Sequence, residues 1–329
     1  MSSFVDNCPY VLSPRQLQNL KDETSEDGLT ILDVSWHMPN SPRNALQDYT
    51  QKHIPGALRL DLDEVASPHE LGLKHMLPTP EIFAKACEEL GISRSSHVVL
   101  YDTTGVFSSP RALYMFRAFG HKRSSILDGG LPNWLAHGGM AGPQFAPVPK
   151  AEYDPPQLDV DAVRSKVKSL KDIEAQSNEF VTNSAFDPSS PETELVLDAR
   201  SRGRFLGTDP EPRPGLPSGH IPHSRSLPFT SFLQQNEVTL QPSGEKITFS
   251  TLATNKQLLA ALEEALGAEY AKDVLAGKRG VVTSCGSGMT AGVLWLGLQV
   301  LGVERVGLYD ESWTGYAARE GSLIVKGEQ

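Results

Sequence analysis

Cys285 stands in "VVTSCGSGMTAGVLWLGLQVLG" (residues 281–302), with Gly286, Ser287, Gly288, Met289 and Thr290 leading from one apolar run to the next. A cysteine is ordinarily a small buried hydrophobe. Here the local pattern points to chemistry. "GVVTS" has the pattern of a buried strand and "TAGVLWLGLQVLG" that of a largely buried helix, so residues 285–290 form the strand-to-helix connection. In an open α/β sheet that connection lies at the carboxyl edge of the strands, where ligands bind. The unpaired N–H groups and positive dipole end of the following helix face it. Gly286 and Gly288 let the backbone curl so that several N–H groups point at the sulfur. Such a cradle favours the thiolate, the nucleophilic form of cysteine. A cysteine used only for packing would need neither the glycines nor the edge position. Cys87 is of that other kind, in line with Phe83 and Leu90 at helical spacing. Cys8 has no supporting pattern.

The elements that must hold the loop come from a repeated chain. The first half reads "LTILDVSW", "HIPGALRLDLD", "HVVLYD", "SPRALYMFRAFG" and "SSILDGGLPNW". The second reads "LVLDARSRGRF", "GHIPHSRSLPF", "GVVTSC", "TAGVLWLGLQVLG" and "VGLYDESWTGY". Asp33 matches Asp198, His53 matches His220 and Gly120 matches Gly302. Five matched blocks in one order predict two copies of one fold. Short β-branched runs alternating with helical patterns predict α/β architecture, each copy a mostly parallel sheet flanked by helices. In "TPEIFAKACEELG", Thr79 is the expected N-cap, Pro80 the first helical residue and Gly91 the stop. Ser109, Pro110 and Gly120 repeat that grammar. His53 and His220 recur in both copies, each before "IP", which suits a structural brace. In the first copy Asp102 takes the place of Cys285, so that loop should be inactive. Between the copies, Pro143, Pro147, Pro149, Pro155 and Pro156 predict a stiff, extended surface connector. The expected domains are 1–142 and 157–329, joined by a linker over 143–156.

The 329 residues are 39% hydrophobic and 21% charged, a globular composition with room for two domains. A net charge of −10 argues against a general nucleic-acid surface. No apolar run approaches the ~20 residues of a membrane helix. The opening "MSSFVDNCPYVLSPRQL" lacks a secretory hydrophobic region and the Arg-rich look of a mitochondrial presequence. Three widely spaced cysteines suit reduced thiols, and no pair has metal-ligand spacing. A monomeric, cytoplasmic protein is expected, with a mitochondrial pool left open.

"CGSGMTA" after an apolar strand, with the duplicated "HIPG"-type and "LDGG"-type blocks, resembles the two-domain sulfurtransferases of the rhodanese superfamily. The resemblance runs from about Leu29 to about Tyr316 and is closest to the 3-mercaptopyruvate sulfurtransferase branch, whose loop reads "CGSG", an apolar residue, then "TA". Thiosulfate sulfurtransferases of this fold usually carry two cations directly after the cysteine; here those positions are Gly286 and Ser287. Met289 stands where the branch commonly has valine, a change of packing more than of chemistry. The resemblance implies two tandem rhodanese-like domains and a Cys285 persulfide formed from 3-mercaptopyruvate with release of pyruvate. It implies loop amides from Gly286 to Thr290 holding the negative charge, and no metal or organic cofactor.

In "RSRGRFLGTDPEPRPG" the family pattern selects Arg204 and Arg213 as the carboxylate clamp, leaving Arg200 and Arg202 to structure. A Ser–His–Asp relay maps onto Ser287, His75 in "KHMLP" and Asp63 in "LDLDE", which would set the site in a cleft between the copies. Thioredoxin or another small thiol is the implied acceptor, with a tRNA-thiolation sulfur-relay protein as a further partner. A thiosulfate-preferring enzyme is the alternative. A phosphatase with a C-x5-R loop is disfavoured because the sixth residue after Cys285 is Ala291. A non-catalytic binding module is disfavoured because the cysteine and its glycines are intact.

Overall fold

The computed structural model describes residues 8–24, 28–145, 148, 153 and 194–328, and the backbone of 167–168. Contacts divide the chain into two compact units. The first comprises Met1–Ser67, Leu77–Leu158 and Leu233–Leu252; the second comprises Pro68–Met76, Asp159–Phe232 and Ala253–Gln329.

The first unit is built on five parallel strands: β1 (Val11–Leu12), β2 (Leu29–Asp33), β3 (Leu58–Arg59), β4 (His97–Tyr101) and β5 (Ser124–Leu127). They lie in the order β1-β5-β4-β2-β3. Its helices are α1 (Pro14–Glu23), α2 (Ala45–Gln51), α3 (Pro80–Glu89), α4 (Ser109–Ala118) and α5 (Gly130–Ala136). Parallel strands covered on both faces are largely apolar, and every residue of β4 is buried, its His97 bonded to Ser125. The second unit carries β6 (Val167–Lys168), β7 (Leu195–Asp198) and β8 (Arg225–Ser226), with β11 (Val281–Ser284) and β12 (Val306–Tyr309). Their order, β6-β12-β11-β7-β8, repeats that of the first sheet strand for strand. Its helices are α6 (Arg202–Leu206), α7 (Asn255–Leu266), α8 (Ala268–Leu275), α9 (Ala291–Val300) and α10 (Ser312–Ala317). The expected duplication, α/β with mostly parallel sheets, is the observed fold.

The units differ from a cut of the chain at 142 and 157, because two segments sit with the other half's core. The antiparallel hairpin of β9 (Leu233–Thr239) and β10 (Lys246–Leu252) belongs to the first unit. Ser250 N–H donates to the Thr104 carbonyl (3.2 Å) and Leu252 N–H to Asp128 Oδ1 (2.8 Å). Gly105 permits this approach: its φ is +121°, and a Cβ there would lie 2.2 Å from the Ser250 carbonyl oxygen. Conversely, Pro68–Met76 belongs to the second unit. Most of the proline-rich connector lies outside the described residues. Tyr153 within it is buried, its ring edge-on to Phe83 and its hydroxyl 3.2 Å from His121 Nδ1, so this point of the connector is anchored in the core of the first unit.

Helix starts follow the sequence in one case and correct it in the other. Thr79 accepts from Ile82 N–H with Pro80 at the first position of α3. Ser109 is not the cap of α4 but its first residue, because both its N–H and its hydroxyl turn to the Asp102 carboxylate. His53 and His220 brace equivalent corners. His53 pairs through its backbone with Gly142, and His220 with Val325. His220 also stacks on Phe205 and bonds the Phe205 carbonyl through Nδ1.

Candidate active site

The first unit shows what this strand-to-helix loop is built to hold. After β4, the Asp102 carboxylate accepts the N–H groups of Thr104 and Gly105 on Oδ1 (2.9 and 2.8 Å). On Oδ2 it accepts those of Phe107, Ser108 and Ser109 (3.0, 3.1 and 3.0 Å) and the Ser109 hydroxyl (2.8 Å). Five amides converge on one anion, a nest of the kind that binds phosphates and other oxyanions. The protein's own aspartate fills it.

In the second unit the same connection follows β11 and carries Cys285, which is buried. Among the described residues, the N–H groups of Gly286 to Thr290 donate no hydrogen bond. Where the first loop wraps a carboxylate, the second carries a thiol and its N–H groups find no partner among the described residues. Gly288 has φ +82°, which only glycine adopts without strain. Gly286 serves a different purpose from the expected curl, since its φ is not positive. A Cβ on it would lie 3.2 Å from Arg213 Nη1 and 3.3 Å from Arg204 Nη2, so the bare backbone makes room for two guanidinium groups. Met289 is buried, and Thr290 precedes α9 as its N-cap without a side-chain cap bond.

The loop is held from α10. Ser312 Oγ accepts the Cys285 N–H (3.0 Å) and donates to the Tyr309 carbonyl (2.8 Å). Ser312 has φ +51°; Gly130, its counterpart in the first unit, has φ +55°. A non-glycine residue in the left-handed region costs on the order of 1 kcal/mol or more, and here the hydroxyl recovers it by fixing the cysteine's amide. Trp313 N–H then donates to the Cys285 carbonyl, as Leu131 N–H does to that of Asp102. Thr314 donates to the Gly286 carbonyl through both its N–H and its hydroxyl.

His75 reaches the loop from Pro68–Met76. It is buried, has φ +47°, and its Nε2 lies 2.9 Å from Ser287 Oγ. That segment is fastened to the residues flanking α10: Arg319 pairs with both Glu311 and Glu70, and His69 Nε2 lies 3.4 Å from Glu311 Oε1. Asp63 belongs to the first unit, where its Oδ2 accepts Trp36 Nε1–H (3.1 Å).

Arg204 is oriented by Glu211, which accepts Nε–H (3.1 Å) and Nη2–H (2.6 Å). Glu211 also accepts from Arg200 (2.8 Å), a buried residue bonded to the Asp198 carboxylate and the Gly219 carbonyl and lying over the Trp313 ring. Arg213 makes no ion pair among the described residues. Arg202 pairs with Glu328 at the surface. Ser312, Glu211, Thr314 and the Glu311–Arg319 pair were missed from sequence. Ser312 alone left a signal: "YDES" carries a serine where the matching "LDGG" carries a glycine.

Residues 13–137 match the rhodanese-like domain family. A thiosulfate/3-mercaptopyruvate sulfurtransferase of Arabidopsis thaliana is 36% identical over 302 residues, 89% of this chain and 73% of the relative. A probable 3-mercaptopyruvate sulfurtransferase of Schizosaccharomyces pombe is 35% identical over 94% of each chain. Among solved structures, SseA of Escherichia coli, described as a 3-mercaptopyruvate sulfotransferase of the rhodanese fold, superposes with a TM-score of 0.70 at 31% identity, covering 93% of this chain and 99% of its own.

Proposed function

Because this chain belongs to the 3-mercaptopyruvate sulfurtransferases of the two-domain rhodanese superfamily, we propose that it takes the sulfur of 3-mercaptopyruvate onto Cys285 and passes it to a thiol acceptor. One observation carries the substrate reading: two guanidinium groups converge on the amide loop that bears the cysteine, at Gly286. Guanidinium forks match a carboxylate, and the loop itself adds no cation.

The Cys285 sulfur attacks the thiol sulfur of the substrate. A sulfur–sulfur bond forms as the bond to carbon breaks, and the electron pair leaves on the enolate of pyruvate. The unsatisfied amides of residues 286–290 stabilise the persulfide anion as the first loop's amides stabilise Asp102. In this reading Ser287, whose Oγ lies 2.9 Å from His75 Nε2, delivers the proton that turns the enolate into pyruvate. The resemblance adds Asp63 as the group that would orient His75. A thiol such as thioredoxin then attacks the outer sulfur, and the cysteine is regenerated. A sulfur-relay protein for tRNA thiolation is a further acceptor of this chemistry, and cytoplasmic residence with a mitochondrial pool is part of the same proposal.

The test is a rate comparison of purified protein on 3-mercaptopyruvate and on thiosulfate, with mass spectrometry of the product-free enzyme. We expect preference for 3-mercaptopyruvate and one added sulfur on the peptide containing Cys285, absent from Cys285→Ser. Preference for thiosulfate would select the alternative donor. Sulfur on Cys8 or Cys87 with Cys285 unmodified would overturn the assignment.

A further inference from the structure

Glu211 lies between two arginines with its side chain buried. It holds Arg204 through two bonds, so the guanidinium edge near Gly286 is fixed in place and not free to swing. It also changes the charge of the clamp. Asp198, Arg200, Glu211 and Arg204 form one continuous chain of ion pairs, to which Arg213 adds a guanidinium with no carboxylate partner among the described residues. Three cations against two carboxylates leave the group with a net single positive charge, and Arg204 and Arg213 are the members that reach the loop at Gly286.

We propose that Glu211 is a specificity-determining positioning residue that tempers the clamp to match a donor with one carboxylate and to disfavour a compact dianion. This rests on the reading of the site as one for a 2-oxo acid sulfur donor. A site with net charge of one neutralises a monocarboxylate and leaves a dianion partly uncompensated in a desolvated pocket. Removing the glutamate's charge raises the clamp to two, the value suited to thiosulfate. The carboxylate thus does from below what the absence of cations at Gly286 and Ser287 does from within the loop.

The experiment compares wild type, Glu211→Gln and Glu211→Asp by kcat/KM on 3-mercaptopyruvate and thiosulfate, with a thermal melt of each. Glu211→Gln is isosteric but keeps one acceptor oxygen, so it removes the charge and at least one of the three arginine bonds. It should raise KM for 3-mercaptopyruvate and shift the selectivity ratio toward thiosulfate by about tenfold or more, the scale of a charged partner. Glu211→Asp keeps the charge and should keep the ratio, whatever it loses in rate. An unchanged ratio in folded Glu211→Gln, or an equal shift in Glu211→Asp, would overturn the proposal. Should Glu211→Gln fail to fold, wild type decides: pyruvate should compete with 3-mercaptopyruvate more tightly than oxaloacetate, and the reverse order would sink the idea. Wild type inactive on 3-mercaptopyruvate would instead refute the functional reading itself.

Discussion

Cys285, His75 and Ser312 show how much the site depends on individual backbone conformations. His75 and Ser312 both hold left-handed φ values without being glycine, and both touch the loop that carries Cys285. Asparagine tolerates that region better than most residues, so His75→Asn tests the imidazole while sparing the backbone. It should lower kcat on 3-mercaptopyruvate by about 100-fold or more, the usual contribution of a proton-transfer group, with persulfide still detectable at long times. Ser287→Ala should follow it; wild-type turnover in Ser287→Ala would refute the relay. The clamp is testable one residue at a time as well. Arg204→Ala and Arg213→Ala should each cost about 1.5–3 kcal/mol in transition-state binding, read as roughly tenfold or more in kcat/KM. If both kept wild-type kinetics, their closeness to Gly286 would be incidental. Gly286→Arg with Ser287→Lys should raise thiosulfate activity and lower that on 3-mercaptopyruvate, because added side chains crowd Arg204 and Arg213 as well as adding charge.

At the level of elements, two copies of one strand–loop–helix unit have opposite fates. After β4 the loop is closed by its own aspartate and covered at Gly105 by the β9–β10 hairpin. After β11 no aspartate takes that place, and among the described residues the N–H groups of Gly286 to Thr290 donate no hydrogen bond. Gly105→Ala should therefore destabilise the fold without touching the chemistry. Its φ of +121° disfavours any side chain, and the new Cβ would meet a backbone oxygen that cannot step aside. A loss of at least about 2 kcal/mol in urea unfolding is expected, with kcat per folded molecule unchanged. A variant as stable as wild type would show that the hairpin is not pressed against this turn.

For the molecule as a whole, acid stability follows from two histidines of the first unit. Burial pushes the imidazoles of His97 and His121 down to about 4. Unfolded, each takes a proton near pH 6.5; folded, each stays neutral until near pH 4. Their contribution is complete above about pH 6.5 and is lost as pH falls toward 4, at up to about 1.4 kcal/mol per pH unit for each group. Urea midpoints measured from pH 7 to pH 4.5 should fall, and His121→Gln should flatten the fall relative to its own value at pH 7. An equally steep decline in that variant would assign the acid sensitivity to other groups.

The amino-acid sequence by itself determined the duplication, the α/β class, the loop around Cys285 and the exchange of that cysteine for Asp102 in the first copy. Each of these is written in local pattern: apolar runs of strand and helix length, glycines at the turn, and one residue exchanged between matching blocks. It also pointed, through resemblance, to Arg204, Arg213, His75 and Ser287, which the second unit brings to one loop. Only the tertiary structure decided how they are held. That Pro68–Met76 sits with the second sheet, and the hairpin 233–252 with the first, depends on packing between distant segments that no periodicity encodes. Gly286 read as a flexible turn residue and proved to be a clearing for two guanidiniums. Glu211 read as one acid in a charged loop, because a buried carboxylate shared by two arginines and a solvated one have the same letter. What separates them is the desolvated ion-pair chain from Asp198 to Arg204, and that exists only once β7, α6 and the loop after it are folded together.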